Sequence, residues 1–365
     1  MATTTATAIN ELPVLTWNWL KINNAVLPGE GSGDSSKSPE QAEQTVSPLP
    51  AGVTFTADAR DKAGTYAGIR TGVGKNIDSL LSSAASSLVT AEAGVKAEKP
   101  VVIGFSLDSR SSSVCTQIIR AEENADITVI ITYTSPEDAS GFHTIRTICS
   151  AAKNARIHLV KVQLLGRGFV QIDDTGTECG EGANVEVTQV ILGGKETYAG
   201  VYASLPEYGA SFKSDTAYLC LGSQKLDLNY VARHTGRKTD CRMQVKGTLR
   251  DNAQKTYRGS IDFRNGCSGS TGNEQEETLL LSPDVVNKSI PLILCDEEDV
   301  AGEHGASIGR LGEDVLFYMQ SRGISKAAAE EIMAKAKVAS VASLIPDETI
   351  VSKINSCIDE AFAHD

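Results

Sequence analysis

Cys241-Arg242-Met243-Gln244-Val245 is followed by Tyr257-Arg258-Gly259-Ser260-Ile261-Asp262-Phe263. Both stretches alternate apolar or small residues with polar ones, a period of two that sends one set inward and the other to the surface of a sheet. Working outward, runs of similar β-rich texture occupy 101–105, 127–133, 156–165, 185–192, 197–205, 217–221 and 226–231. They continue through 241–249, 257–263, 278–281 and 292–295. Nothing between 155 and 296 has the periodicity of a long amphipathic helix, which disfavours alternating strand–helix architecture. A sandwich, a barrel and a parallel β-helix all satisfy this pattern. Aromatic residues make up only 5 % of the chain. That scarcity and the long succession of short strands favour the β-helix, whose coils are filled by Val, Ile, Leu and Cys. No strict short repeat is visible.

The flanks read differently. The segment 9–27 carries Leu12-Pro13, Thr16-Trp17-Asn18-Trp19-Leu20 and Ile22, apolar enough to dock but too short to form a domain. Residues 28–50 are rich in Gly, Ser, Pro and Glu and are expected to form a mobile loop. Over 77–95, Leu80, Leu81, Ala84, Leu88 and Ala91 recur at three- and four-residue spacing, which predicts an amphipathic helix ending near Gly94. The end of the chain predicts three helices. Glu313 and Asp314 suit the start of the first, which stops at Gly323. Ser325 caps the second, which runs to about Ala342, and Pro346-Asp347 opens the third, with Val351, Ile354, Ile358 and Phe362 on one face. That face serves equally well for docking a partner or for packing on the chain's own core. The expected divisions are thus a helical segment over 1–95 with its loop, a β core over 96–311 and a helical domain over 312–365.

The 365 residues carry 34 Lys and Arg against 46 Asp and Glu, a net charge of −12. Such a chain repels phosphate backbones, which argues against nucleic acid as a partner. No stretch approaches the roughly 18 consecutive apolar residues of a membrane span, and residues 1–10 show no basic start or apolar run. The expectation is a cytoplasmic protein without a membrane partner. Of its eight cysteines none forms a C-x-x-C pair, and several, such as Cys220 in Tyr218-Leu219-Cys220-Leu221, lie in apolar runs where a reduced thiol packs as a small hydrophobe.

Familiar motifs fail on inspection. Gly72-Val73-Gly74-Lys75-Asn76 has Ile69 and Asn76 where a phosphate loop needs Gly and Ser or Thr, so no nucleotide is expected on this chain. Gly166-Arg167-Gly168 lacks the third glycine of a dinucleotide fingerprint. Gly266-Cys267-Ser268-Gly269-Ser270 lacks the last glycine of a nucleophile elbow. The remaining dense polar region, 273–303, holds nine acidic residues against Lys288 alone and leads into Gly302-Glu303-His304-Gly305-Ala306-Ser307. An imidazole beside carboxylates and near Cys295 can hold iron or zinc. A solvated acidic turn with a structural histidine is the plainer account.

Several quoted stretches carry a resemblance. His234-Thr235-Gly236-Arg237-Lys238-Thr239-Asp240, Tyr257-Arg258-Gly259-Ser260-Ile261, Leu279-Leu280-Leu281-Ser282 and Ser289-Ile290-Pro291 look like the core of the SufB/SufD family. So do Asp299-Val300, His304-Gly305-Ala306-Ser307-Ile308-Gly309 and Phe317-Tyr318-Met319-Gln320-Ser321-Arg322-Gly323-Ile324. The resemblance implies a right-handed parallel β-helix flanked by helices. It also implies a non-enzymatic scaffold subunit of iron–sulfur cluster assembly, pairing with a SufB-like subunit, or with itself when alone, and binding the SufC ATPase through its C-terminal helices. Within the family the chain looks SufD-like: where SufB-type subunits have glutamate after the histidine, this chain has Gly305. A SufB-type cluster cysteine falls about where Glu276 stands, and the cysteine that many SufD-type chains carry two residues before the histidine is Gly302 here. His304, then Glu303, are the residues the resemblance assigns to a transient cluster or iron shared with a partner. Two rivals remain at this point. One is a β-helix enzyme acting on carbohydrate with Glu276/Glu277 or the 296–299 carboxylates. The other is a purely structural SufC partner without ligands of its own.

Overall fold

Residues that alternate along the sequence stack in register from one coil to the next. Ile127 lies beside Ile157, Ile157 beside Val185, Val185 beside Phe212, and Phe212 beside Cys241. The computed structural model describes residues 7–15, 18–27, 43–82, 84–108 and 111–363. It is mainly β, a solenoid of about eight turns. One nine-stranded sheet runs from Glu43–Val46 to Val300–Gly309 and the other from Val53–Thr56 to Val286–Cys295, with alternate strands of the chain in each. All pairings from Ala85–Ala91 and Val101–Ser106 onward are parallel, and the register offset varies from coil to coil, from Val170 beside Glu196 at the shortest to Gln254 beside Val286 at the longest.

One corner explains how the coil closes. Asn124, Asn154, Gly182 and Gly209 occupy the left-handed region, with φ of 59°, 56°, 63° and 67°, a conformation that Gly and Asn accept at least cost. Each donates its N–H to the next coil: Asn124 to Lys153 O (2.9 Å), Asn154 to Glu181 O (2.8 Å), Gly182 to Tyr208 O (2.9 Å). The next residue is alanine each time, and Ala125, Ala155, Ala183 and Ala210 are fully buried. The turn thus stacks on itself as the strands do.

The lumen is filled by Val, Ile, Leu, aromatic and Cys side chains. Six of the eight cysteines, Cys115, Cys149, Cys179, Cys220, Cys241 and Cys267, are buried. Burial pushes the thiols of Cys115, Cys149 and Cys220 up to about 12, so they stay protonated and act as packing.

The N-terminal expectations need correction. The helix expected over 77–95 is not formed: a single turn, Asp78–Leu81, is followed by the strand Ala85–Ala91, which pairs in parallel with Ser111–Ala121. Leu88 and Val89 face opposite sides of that strand, in different apolar clusters, so spacing that mimicked a helix is two strand faces. The described residues before it hold short strands and single helical turns, so the described part of 1–95 is not a helical segment. The solenoid also begins before 96. Of the expected loop, 28–42 lies outside the described residues, and Glu43–Val46 forms a strand on Val101–Ser106. The N-terminal layer drapes over the second sheet, where Ile9, Leu27, Val73 and Ile77 pack on Phe142, Ile172 and Tyr198. Gly72 crosses so close to Gly200 that a Cβ on Gly72 would stand 2.0 Å from Val201 N, and Gly74 has φ of 103°, which accounts for the two glycines of the run that fails as a phosphate loop.

At the other end come helices Glu313–Ser321, Lys326–Ala342 and Glu348–Ala363. Ser325 Oγ accepts from Ala328 N (3.1 Å) and Asp347 Oδ1 from Ile350 N (3.0 Å), two side-chain caps. Val338, Val341, Ile350, Ile354 and Ile358 bury against Ile130, Val160, Val162, Val190 and Leu219 on the outer face of the first sheet. The apolar face of the last two helices is therefore spent on the chain's own core. No helix among the described residues is long and apolar enough to cross a membrane.

Candidate functional site: the open mouth of the solenoid

The last coil is built from Val286–Cys295 and Val300–Gly309, each the outermost strand of its sheet. Every residue of Val300–Gly309 except Val300 is exposed. His304 sits on this strand in register with Glu274, which lies beside Met243, and Met243 beside Ser214. Ser214, Met243 and Glu274 are buried lumen positions, so His304 continues the lumen ladder one coil further, at its mouth. Glu303 falls on the opposite face, beside Asn273, whose Nδ2 donates to Glu303 Oε2 (3.1 Å). The two residues expected to act together thus point to opposite sides of one strand. Cys295 is exposed on the edge of the other sheet, beside Phe263, and its thiol donates to the Glu297 carbonyl (3.0 Å). Among the described residues no three His, Cys, Asp or Glu side chains converge as a metal-ligand group.

The acidic run divides by the same alternation. Asp296, Glu297 and Asp299 belong to an exposed turn and bind Arg264 Nη1 (2.8 Å), Gly266 N (2.9 Å) and Ser268 Oγ (2.7 Å). Glu277 faces outward to Lys337 (3.4 Å) and Lys246 (3.6 Å). Glu274 and Glu276 are buried inside the lumen, 2 % and 1 % exposed. Glu276 is ion-paired to Lys255 and accepts from Thr278 Oγ1 (2.9 Å) and Ser289 Oγ. Glu274 has no such company. Burial first, and the Glu276 charge second, raise its carboxyl to about 7. The Tyr257 hydroxyl and Lys255 offset part of that rise. Composition placed acid near the histidine; only the register shows which acids share its face.

Gly302 also faces the lumen. A Cβ there would stand 3.0 Å from Phe263 Cε2 and 3.3 Å from Ile293 Cδ1. The mouth therefore carries imidazole and carboxylate on the inner face of the first sheet, while on the facing sheet Cys295 stacks in register on the lumen residue Phe263.

The profile of the family described as "SUF system FeS cluster assembly, SufBD core domain" matches residues 105–337. The chain belongs to the SufB/SufD family. It is similar to the iron-sulfur cluster assembly protein SufD of Bacillus subtilis strain 168, 25 % identical over 272 residues covering 73 % of this chain and 61 % of that protein. It is similar also to SufB of the same organism, 23 % identical over 249 residues, 68 % of this chain and 54 % of that one. A SufBD family protein of Staphylococcus epidermidis strain ATCC 12228 is 24 % identical over 251 residues, with coverage of 68 % and 54 %. The chain thus spans less than two thirds of the length of these relatives. Within the family core, Ser270–Leu280 and Val300–Gly309 bring Glu276 and His304 into adjacent coils, one lumen position apart along the strand.

Proposed function

We propose that this chain is a non-catalytic scaffold subunit of the SUF machinery, offering the open solenoid mouth to a SufB-like subunit. The observation that carries this reading is the uncapped pair of ten-residue strands Val286–Cys295 and Val300–Gly309 at one end. Free strand edges present rows of unpaired N–H and C=O groups that pair readily with another chain. His304, one position from the exposed Glu303 and on the lumen face, then meets the partner across the seam. Iron or a nascent cluster is the cargo held there, with imidazole from this side and thiolate from the SufB-like side. With no partner, a second copy of the chain takes the same end.

The SufC ATPase docks on the C-terminal helices. Because the last two bury their apolar face on the first sheet, the surface left for SufC is Glu313–Ser321, which has no buried residue and exposes Phe317 (75 %) and Tyr318 (59 %). Nucleotide is bound by SufC and not by this chain, and the complex works in the cytoplasm. The carbohydrate-enzyme alternative loses its first carboxylate pair, since Glu276 and Glu277 face opposite sides of their strand.

Anaerobic co-expression with SufB and SufC tests the assignment. Iron and sulfide in the purified complex fall by most of their amount in His304→Ala while all three subunits co-purify. Undiminished loading instead favours a structural SufC partner without ligands.

A further inference from the structure

Two carboxylates share the lumen near the mouth and are treated differently by their surroundings. Glu276 is fully engaged by Lys255, Thr278 and Ser289. Glu274, directly beside His304 in the ladder, keeps Oε2 without a well-formed hydrogen bond although it is 2 % exposed. The Tyr257 hydroxyl, also buried, is likewise left without one. Both lie over Gly259, where a Cβ would stand 2.7 Å from Tyr257 Oη and 3.0 Å from Glu274 Cδ, so the missing side chain makes room for the two oxygens. Buried acceptors are ordinarily satisfied, and one left open at the edge of an exposed site marks a place for a donor or a cation.

We propose that Glu274 is a metal ligand together with His304, giving the mouth a nitrogen–oxygen site that takes a single ferrous ion. This rests on the reading that His304 faces the iron of the assembly. Imidazole and carboxylate suit Fe(II), whereas a cluster requires soft thiolates. The inward positions flanking Glu274 and His304 on their own strands are Gly272, Glu276, Gly302 and Ala306, none of them a thiol, and Glu276 is already tied to Lys255. The Tyr257 hydroxyl, beside the carboxylate and without a well-formed hydrogen bond of its own, can turn its proton to one carboxylate oxygen and fix its orientation while the remaining lone pairs face the ion. Water occupies the remaining coordination positions until the partner supplies sulfur ligands. The chain thus contributes the ion, and the partner contributes the chemistry that makes it a cluster.

The test uses the isolated full-length chain under anaerobic conditions, titrated with Fe(II) and, for its visible absorption, with Co(II). One equivalent binds, and the Co(II) spectrum is that of nitrogen and oxygen ligands without a thiolate charge-transfer band. Glu274→Gln weakens binding by about tenfold or more, as does His304→Ala, while Glu186→Gln on the outer face of the solenoid binds as the parent. Glutamine keeps the shape of the buried side chain, and far-UV circular dichroism with a thermal melt checks that the variant is folded. Folded Glu274→Gln binding Fe(II) as tightly as the parent overturns the inference. If His304→Ala still lowers iron in the three-subunit complex, the scaffold reading stands without it. If neither variant changes any metal content, both fall.

Discussion

The two ends of the solenoid are finished differently. At the start, the chain turns back on itself: Glu43–Val46 covers Val101–Ser106 and Val53–Thr56 covers Ala85–Ala91, both antiparallel and four residues long. Short reversed strands blunt a sheet edge without offering a long template for further pairing. Behind them Val89, Val101, Ile103 and Ile145 are fully buried. At the far end two ten-residue parallel strands are left uncovered, and the lumen face passes from buried Glu274 to exposed His304 within one coil. Among the described residues, eight cap one end of the core and none covers the other, and this is the contrast on which the proposed partner site rests.

The largest effect that sharpens this contrast comes from the buried ion pairs. Lys161 with Asp173 lies in mid-lumen, where Thr175 (2.8 Å from Lys161 Nζ) and Gln189 (3.2 Å from Asp173 Oδ2) complete the network. Removing one partner strands a buried charge, so Lys161→Met costs roughly 3–5 kcal/mol in urea unfolding. Lys255→Met strands Glu276, which is 1 % exposed although it lies next to the mouth, and costs a similar amount. A much smaller loss there means that water enters the last coils and separates the two ends.

Acid provides the next effect. Burial lowers the pKa of His143 and of His234 to about 4. A histidine whose folded value lies below its unfolded value of about 6.5 contributes its full stability above that pH and loses it as pH falls toward 4, by roughly 3 kcal/mol. His143 Nδ1 meets Gln171 Oε1 at 2.8 Å, and the ring packs on Phe105 and Tyr133 toward the capped end. His143→Gln should flatten the fall in melting temperature between pH 6.5 and 4.5, and an unchanged slope sinks the assignment.

A smaller loss tests the stacked corner: Asn154→Ala keeps φ at 56° but removes the amide that eases this conformation and donates to Asn124 Oδ1 (3.2 Å), costing roughly 1 kcal/mol, while Asn154→Gly is near neutral by the same melt. Smallest in stability is Ile308→Asp on the open edge. Ile308 is 41 % exposed, so the folded chain changes by within about 0.5 kcal/mol, yet capture of a SufB-like partner is lost. Retained pairing would place the interface elsewhere.

Strands with apolar inward positions, such as Asp126–Thr134 with Ile127, Val129, Ile131 and Tyr133, were legible one by one. Ser140–Ala151 and Gly168–Cys179 were not, because their inward sets include His143, Thr147, Gln171, Asp173 and Thr175, which imitate surface residues until the buried network that satisfies them is seen. The repeat was present as well, in Asn124-Ala125, Asn154-Ala155, Gly182-Ala183 and Gly209-Ala210. A dipeptide recurring at uneven intervals of 27 to 30 residues has no strict period, so it emerges only when the coils are stacked. At the site, His304 was reached through motif resemblance, while Glu274 carried no signal that separated it from the other eight acids around it.

Local rules acting within a few residues, period-two alternation, caps at Ser325 and Asp347 and the motif around His304, are properties of the sequence itself. They determined a β-rich core, the positions of the C-terminal helices and the family. Which alternate face is the lumen, which carboxylates enter it and which end stays open depend on register between residues about 30 apart. Nothing local encodes that register; it follows from the packing of every coil on its neighbours at once. The tertiary structure alone therefore put Glu274 beside His304 and Glu303 on the other side.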